Sequence, residues 1–129
     1  MNQRITRLRQ SLEKLKLDGI IIDRRENIYY LSGFTGGDDA RLLVTQQETL
    51  LFTDSRYTEQ ASRESPQWTL IEEKPPLGQA LKEHARRVGK VGLEDTVSYR
   101  FFKELSLELG EAVVPVSDVV EELRVIKES

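Results

Sequence analysis

The sequence predicts an α/β domain: a mixed β-sheet flanked by helices. Three observations carry this. Helical and extended patterns alternate along the chain in the order α-β-α-β-β-α-β-α-β-α-β-α, interrupted by a single hairpin. The first strand, "IIID", is a continuous β-branched run with no polar alternation, which marks a strand covered on both faces. Finally, 129 residues with 38% hydrophobic and 32% charged side chains suit one globular domain rather than a disordered chain.

The first helix spans Gln3 to Lys16, where Ile5, Leu8, Leu12 and Leu15 fall on one face. "LDG" ends it, and Gly19 is expected to supply a left-handed cap. Its basic residues, Arg4, Arg7, Arg9, Lys14 and Lys16, also fit a targeting segment. The packed helix is preferred because it runs directly into the strand at 20–23. "RENIYYLSG" is a short helix ending at Gly33. Apolar runs at 42–45 and 50–53 flank the turn "QQET" and form the hairpin. Asp54 or Ser55 caps a helix reaching about Arg63, and "SPQ" breaks it. A strand at 68–73 and "KPPLG" lead to a helix over 77–88. A strand at 89–95, the helix "SYRFFKELSLEL", a strand at 112–116 and a helix over 118–124 complete the order, with Ser117 or Asp118 as the last cap.

Composition narrows function mainly by exclusion. There is no cysteine, so disulfide, Cys-zinc and Cys-nucleophile chemistry is absent. The net charge of −3 is interspersed and offers no field for nucleic acid or an anionic membrane. No apolar run approaches the roughly 20 residues of a membrane span.

"GFTGGDD" is the most suggestive loop. It is not a dinucleotide fingerprint, because its glycines follow a helix and precede a strand, and Asp38 and Asp39 repel phosphate. Two readings stay open: a flexible connection with positive φ at Gly36 or Gly37, or a functional loop. The single histidine, His84 in "KEHARR", has no partner at metal-ligand spacing and reads as a surface or helix-end residue. Glu94 and Asp95 read as strand-end solvation and a helix cap. Trp68 suits a core or an interface position equally. The residues alone describe an α/β domain without a catalytic apparatus.

Four stretches, in order, resemble one family. "NIYYLSGFTGG" is similar to the "N-x-x-Y-L-T-G-F-T-G" signature of the N-terminal domain of the creatinase/prolidase/aminopeptidase P group, the Xaa-Pro peptidases. "LLFTDSRYTEQA", "VGLEDTVSYRFFKEL" and "VVEELRVIKES" resemble its later strand-to-helix motifs and its junction with the catalytic domain.

The resemblance implies a ribonuclease-H-like mixed sheet over residues 1–123, with 124–129 starting a junction to an absent "pita-bread" catalytic domain. That domain would carry two divalent metals, manganese, cobalt or zinc, on two Asp, one His and two Glu. None of those ligand motifs is in this chain, so no catalytic residue, metal site or cofactor is expected here, and the segment alone is expected to be inactive. The resemblance also implies a cytoplasmic homodimer or higher homo-oligomer acting on proline-containing peptides, with no nucleic acid or membrane partner. In it, Asp38, Asp39 and Arg41 would meet substrate at a partner's entrance, and Gly36 and Gly37 would be the loop hinge. Asp54, Arg56 and Tyr57 would be structural, or Arg56 would pair with an acid at a domain or subunit junction. The stretch "GDDAR" departs from the family pattern through an extra acid and Arg41, which bears on substrate preference. Two alternatives differ in class: the N-terminal domain of a creatinase-like amidinohydrolase or non-catalytic binding relative, and an autonomous small binding module.

Overall fold

A computed structural model of the chain describes residues 3–74 and 78–126. Six strands form one sheet in the order β4-β3-β2-β1-β5-β6. They are β1 (Gly19–Ile22), β2 (Ala40–Thr45), β3 (Thr49–Thr53), β4 (Thr69–Glu72), β5 (Val91–Glu94) and β6 (Val113–Val116). The helices are α1 (Gln3–Leu15), α2 (Arg25–Ser32), α3 (Thr58–Glu64), α4 (Gln79–Arg86), α5 (Tyr99–Leu109) and α6 (Val119–Arg124). The element order is the one the sequence predicts, with three 3-10 turns added at 37–39, 55–57 and 110–112. The predicted start of α4 at residue 77 lies outside the described residues.

The sheet is mixed. β2 runs antiparallel to both β1 and β3, while β4, β5 and β6 pair in parallel. As a result β1, β3, β4, β5 and β6 all finish at one end of the sheet, the end where β2 begins. Side chains alternate along β1. Ile20 and Ile22 join a core layer with Ile5, Leu8 and Leu12 of α1 and Val120 and Leu123 of α6. Ile21 joins a second layer with Leu81 and Ala85 of α4 and Phe101 and Leu105 of α5. Each fully buried isoleucine contributes about 1.5–3 kcal/mol by leaving water, so covering both faces of β1 anchors the whole three-layer stack.

Four local expectations are corrected. Leu15 is exposed rather than part of the packed stripe. Helix α1 ends not on Gly19 but on Lys16, at φ 60°. The Leu17 N–H then donates to the Leu12 carbonyl, five residues back, and buried Leu17 seals the turn. Gly19 is instead a strand residue where a Cβ would be crowded, with the Val44 carbonyl oxygen 3.1 Å away. Neither Gly36 nor Gly37 has a positive φ; Gly36 sits at φ −90°. Their small size is used for packing. A Cβ on Gly36 would meet the Phe34 ring at 2.7 Å, and one on Gly37 would meet Arg25 at 3.1 Å. Finally, neither Ser117 nor Asp118 caps α6 with its side chain: Asp118 adopts φ 59°, and Ser117 donates to Asp95 at 2.5 Å.

Candidate functional site

The sheet end where five strands finish carries a polar cleft of about 530 Å3. Ligand sites of open α/β sheets favour such an end, because loops and helix N-termini converge there. Asp23 follows β1, Asp38 and Asp39 lead into β2, Arg41 opens β2, and Ser98 to Glu104 belong to the start of α5. The structure therefore brings Asp38, Asp39 and Arg41 together in the lining of one cleft.

Their charges are unequally free. Arg41 donates from Nε to Asp23 Oδ1 at 2.8 Å, and its guanidinium lies 3.7 Å from the Phe101 ring centroid. Its charge is thus already engaged by a carboxylate and a ring. Asp39 Oδ2 accepts from the Tyr57 hydroxyl at 2.7 Å, and Arg56 Nη2 stands 3.7 Å from Asp39 Oδ1. Asp38 pairs with Arg25, at 3.3 Å, and its side chain is 73% exposed. Of the three, Asp38 is the charge the cleft offers outward.

Asp54 is buried and caps the 55–57 turn. Its Oδ1 accepts from the Arg56 N–H at 3.0 Å and Nε at 2.9 Å, and its Oδ2 accepts from Nη2 at 2.7 Å. The Arg56 side-chain bonds hold the Asp54 carboxyl below its ordinary range, and Asp54 in turn raises the guanidinium. The bond to Asp39 pushes the Tyr57 hydroxyl up. Arg56 thus finds its acid within its own turn, and the four side chains brace the loop before β2 against α3.

Two buried carboxylates went unrecognised in the sequence. Glu73 accepts from the N–H groups of Gly78 and Ala80 and caps α4 from outside the helix. Glu94, 6% exposed, ends β5. Its Oε1 accepts from the N–H groups of Asp23 and Arg24 at 2.8 and 2.9 Å, and its Oε2 from Asn27 Nδ2 at 2.5 Å. Burial pushes the Glu94 carboxyl above its ordinary value, against the pull of those donors. At Glu121, burial is outweighed by Asn27, its own backbone and Arg24, so that carboxyl sits low. Glu94 is therefore a structural acceptor and not a solvated strand end. The available signal was its place directly after a fully buried strand, where a carboxylate needs partners.

His84 lies at the opposite end of the sheet, half-buried on α4. Its ring packs edge-on to Phe52 at 5.5 Å, and Nδ1 is 2.9 Å from the Ala80 carbonyl oxygen, which can only accept. Trp68 is buried in the core. Among the described residues no three His, Asp or Glu side chains converge to hold a metal ion. No helix among them is long and apolar enough to cross a membrane.

The profile of the Creatinase/Prolidase N-terminal domain matches residues 4–126. An uncharacterized peptidase of Bacillus subtilis, YqhT, is 34% identical over 98% of this chain and 36% of its own length. The solved N-terminal domain of the cytoplasmic peptidase PepQ from Mycobacterium tuberculosis superposes with a TM-score of 0.87 at 32% identity, over 96% of this chain and 100% of that one. A solved Xaa-Pro aminopeptidase chain from Streptococcus pyogenes gives 0.84 at 32% identity, over 95% of each. The chain spans about a third of the length of the curated relatives it matches, 36% in each case.

Proposed function

The chain belongs to the creatinase/prolidase N-terminal domain family, and on that premise we propose that it is the non-catalytic amino-terminal domain of a dinuclear-metal Xaa-Pro peptidase. It contributes oligomer contacts and one wall of the substrate entrance. The observation that carries the reading is the family match over 4–126, together with relatives whose length exceeds the chain nearly threefold. The likeness to the solved Xaa-Pro aminopeptidase chain supports the substrate class.

The domain occupies residues 1–123, and 124–129 begin the junction to the catalytic domain, its last three residues lying outside the described ones. The partners are that domain, a second copy of the chain and a proline-containing peptide. The parent works in the cytoplasm, as the name of the mycobacterial relative states for that protein.

This chain's described residues do not fit the metal pair. Its buried carboxylates Asp54, Glu73 and Glu94 are all committed to N–H donors. The manganese, cobalt or zinc ions belong to the catalytic domain. What this chain supplies is shape and charge: Arg41 and Phe101 in the cleft lining, and Asp38 facing outward to attract a peptide ammonium.

The test is a gene extended past Ser129, expressed with divalent metal and assayed on Xaa-Pro dipeptides, longer Xaa-Pro peptides and creatine. Hydrolysis of a Xaa-Pro bond by the longer protein and none by the 129-residue chain is expected. Hydrolysis by the short chain, or of creatine alone by the long one, overturns the reading. Asp38→Asn in the longer protein is expected to raise KM for dipeptides with kcat unchanged.

A further inference from the structure

The signature "NIYYLSG" contains two side chains that the cleft does not use, Asn27 and Tyr30. Three positions apart on α2, they share a face, and that face meets α6. Asn27 is 0% exposed. Its Nδ2 donates to Glu94 Oε2 at 2.5 Å and to Glu121 Oε2 at 2.8 Å, while its Oδ1 accepts from Arg124 Nη1 at 2.7 Å. Both amide hydrogens are consumed. Only a neutral group with two donors and an acceptor satisfies two carboxylates and a guanidinium at once. Aspartate would add a third negative charge, and leucine would take one partner from each of the three groups.

Tyr30 completes the grip. Its hydroxyl donates to the Leu123 carbonyl at 3.1 Å, in the last turn of α6, where that oxygen also accepts from the Ile126 N–H at 3.2 Å. The Arg4 guanidinium covers the tyrosine ring at 4.2 Å. Arg24 Nη1 adds a bond to Glu121 at 2.9 Å. A six-residue helix is thus tied to α2 at Glu121, Leu123 and Arg124, while Val120 and Leu123 enter the core. Immediately afterwards Val125 and Ile126 are 83% and 44% exposed.

We propose that Asn27 and Tyr30 are positioning residues that clasp α6 to α2 and so set the direction in which the chain leaves this domain. That the chain leads on into a catalytic domain rests on the proposed function; the clasp does not. The geometry gives the clasp a further consequence. The same eight-residue rod of α2 carries Asn27 in its first turn and runs through Gly33 into the loop of Asp38 and Asp39. One rigid element therefore registers the exit helix against the entrance loop.

The first test is amide hydrogen exchange on the 129-residue chain, a unit crystallised on its own in the mycobacterial relative. The readout is the ratio of α6 exchange, at Glu122 to Ile126, to exchange in β1–β3. Asn27→Ala is expected to raise that ratio about tenfold and Tyr30→Phe several-fold, since local opening is reported separately from global unfolding. Ile28→Val, a core truncation on the same helix, is expected to leave it unchanged. Tyr30→Phe removes a single oxygen and keeps the test decisive if Asn27→Ala does not fold. An unchanged ratio in Tyr30→Phe overturns the clasp. In the longer protein, Tyr30→Phe is expected to raise KM for Xaa-Pro peptides with kcat kept. A raised exchange ratio with an unmoved KM overturns the directional role. If the longer protein hydrolyses no Xaa-Pro bond, the functional reading fails and the exchange ratio still decides the clasp.

Discussion

Replacing Glu94 tests whether a buried carboxylate holds the polar centre of this domain together. In Glu94→Ala, the N–H groups of Asp23 and Arg24 and one Asn27 hydrogen lose their acceptor together. A buried donor left unmade costs about 1–3 kcal/mol. Water reaches the partly exposed Arg24 side and softens the loss, and removing a buried charge returns some desolvation energy, so the net cost is about 3 kcal/mol. Against a domain stability of about 5–15 kcal/mol this is large, and it lowers Tm by roughly 9–15 °C for a chain of this length. Glu94→Gln keeps the carbonyl acceptor for both backbone donors but turns an N–H toward Asn27, costing about 1–2 kcal/mol.

The two variants also differ from wild type in pH dependence. A carboxyl whose folded pKa is raised binds its proton more tightly when folded. Its contribution is complete below the ordinary glutamate value of 4.5 and is lost as pH rises through the higher folded value. Glutamine does not titrate, so the gap between Glu94→Gln and wild type should narrow as pH rises from about 4 toward neutrality. Urea unfolding at several pH values measures this. Equal losses for Ala and Gln, or a gap that widens with pH, would refute the reasoning.

Gly36→Ala places a methyl 2.7 Å from the Phe34 ring and 3.0 Å from Tyr57; a loss of about 1–3 kcal/mol is expected in thermal unfolding, and a neutral result would mean the loop yields freely. Ser98 Oγ accepts from the Phe101 N–H at 3.1 Å at the head of α5, so Ser98→Ala should cost about 1 kcal/mol and Ser98→Asp little. Because Arg56 holds the Asp54 carboxyl below its usual value of 3.8, that pair stabilises the fold above this value and is lost as pH falls through the folded one. Asp54→Asn should therefore unfold at a higher pH in an acid titration, and an unchanged acid midpoint would remove the pair from the account. Millimolar manganese is expected to leave the Tm of the 129-residue chain unchanged.

The elements were legible because their signals are local: the triple isoleucine of β1, the "QQET" turn and the breaks at "SPQ" and Gly33. The loop of Asp38, Asp39 and Arg41 was legible as a place, though not in its pairing. Arg41 answers Asp23 and Phe101, and neither partner is near it in sequence. Glu94 was misread for the same reason. Its donors lie some 70 positions earlier, and no window along the chain reports such a distance. The helix ends were misjudged where backbone geometry outweighed residue preference, as when Lys16 took the left-handed position three residues before the available glycine.

The central place of β1 bears on how the domain is made. Within this domain a ribosome delivers β1 ahead of the other strands, and the β2 edge that pairs it follows within about two dozen residues. Its other neighbour, β5, arrives only with residues 91–93. At about 5–20 residues per second, Ile20 to Ile22 wait roughly 4–14 s with one bare edge and an uncovered face. The nascent chain is most vulnerable to aggregation in that interval, so slowing translation between β3 and β5 should depress soluble yield more than slowing it anywhere after β6.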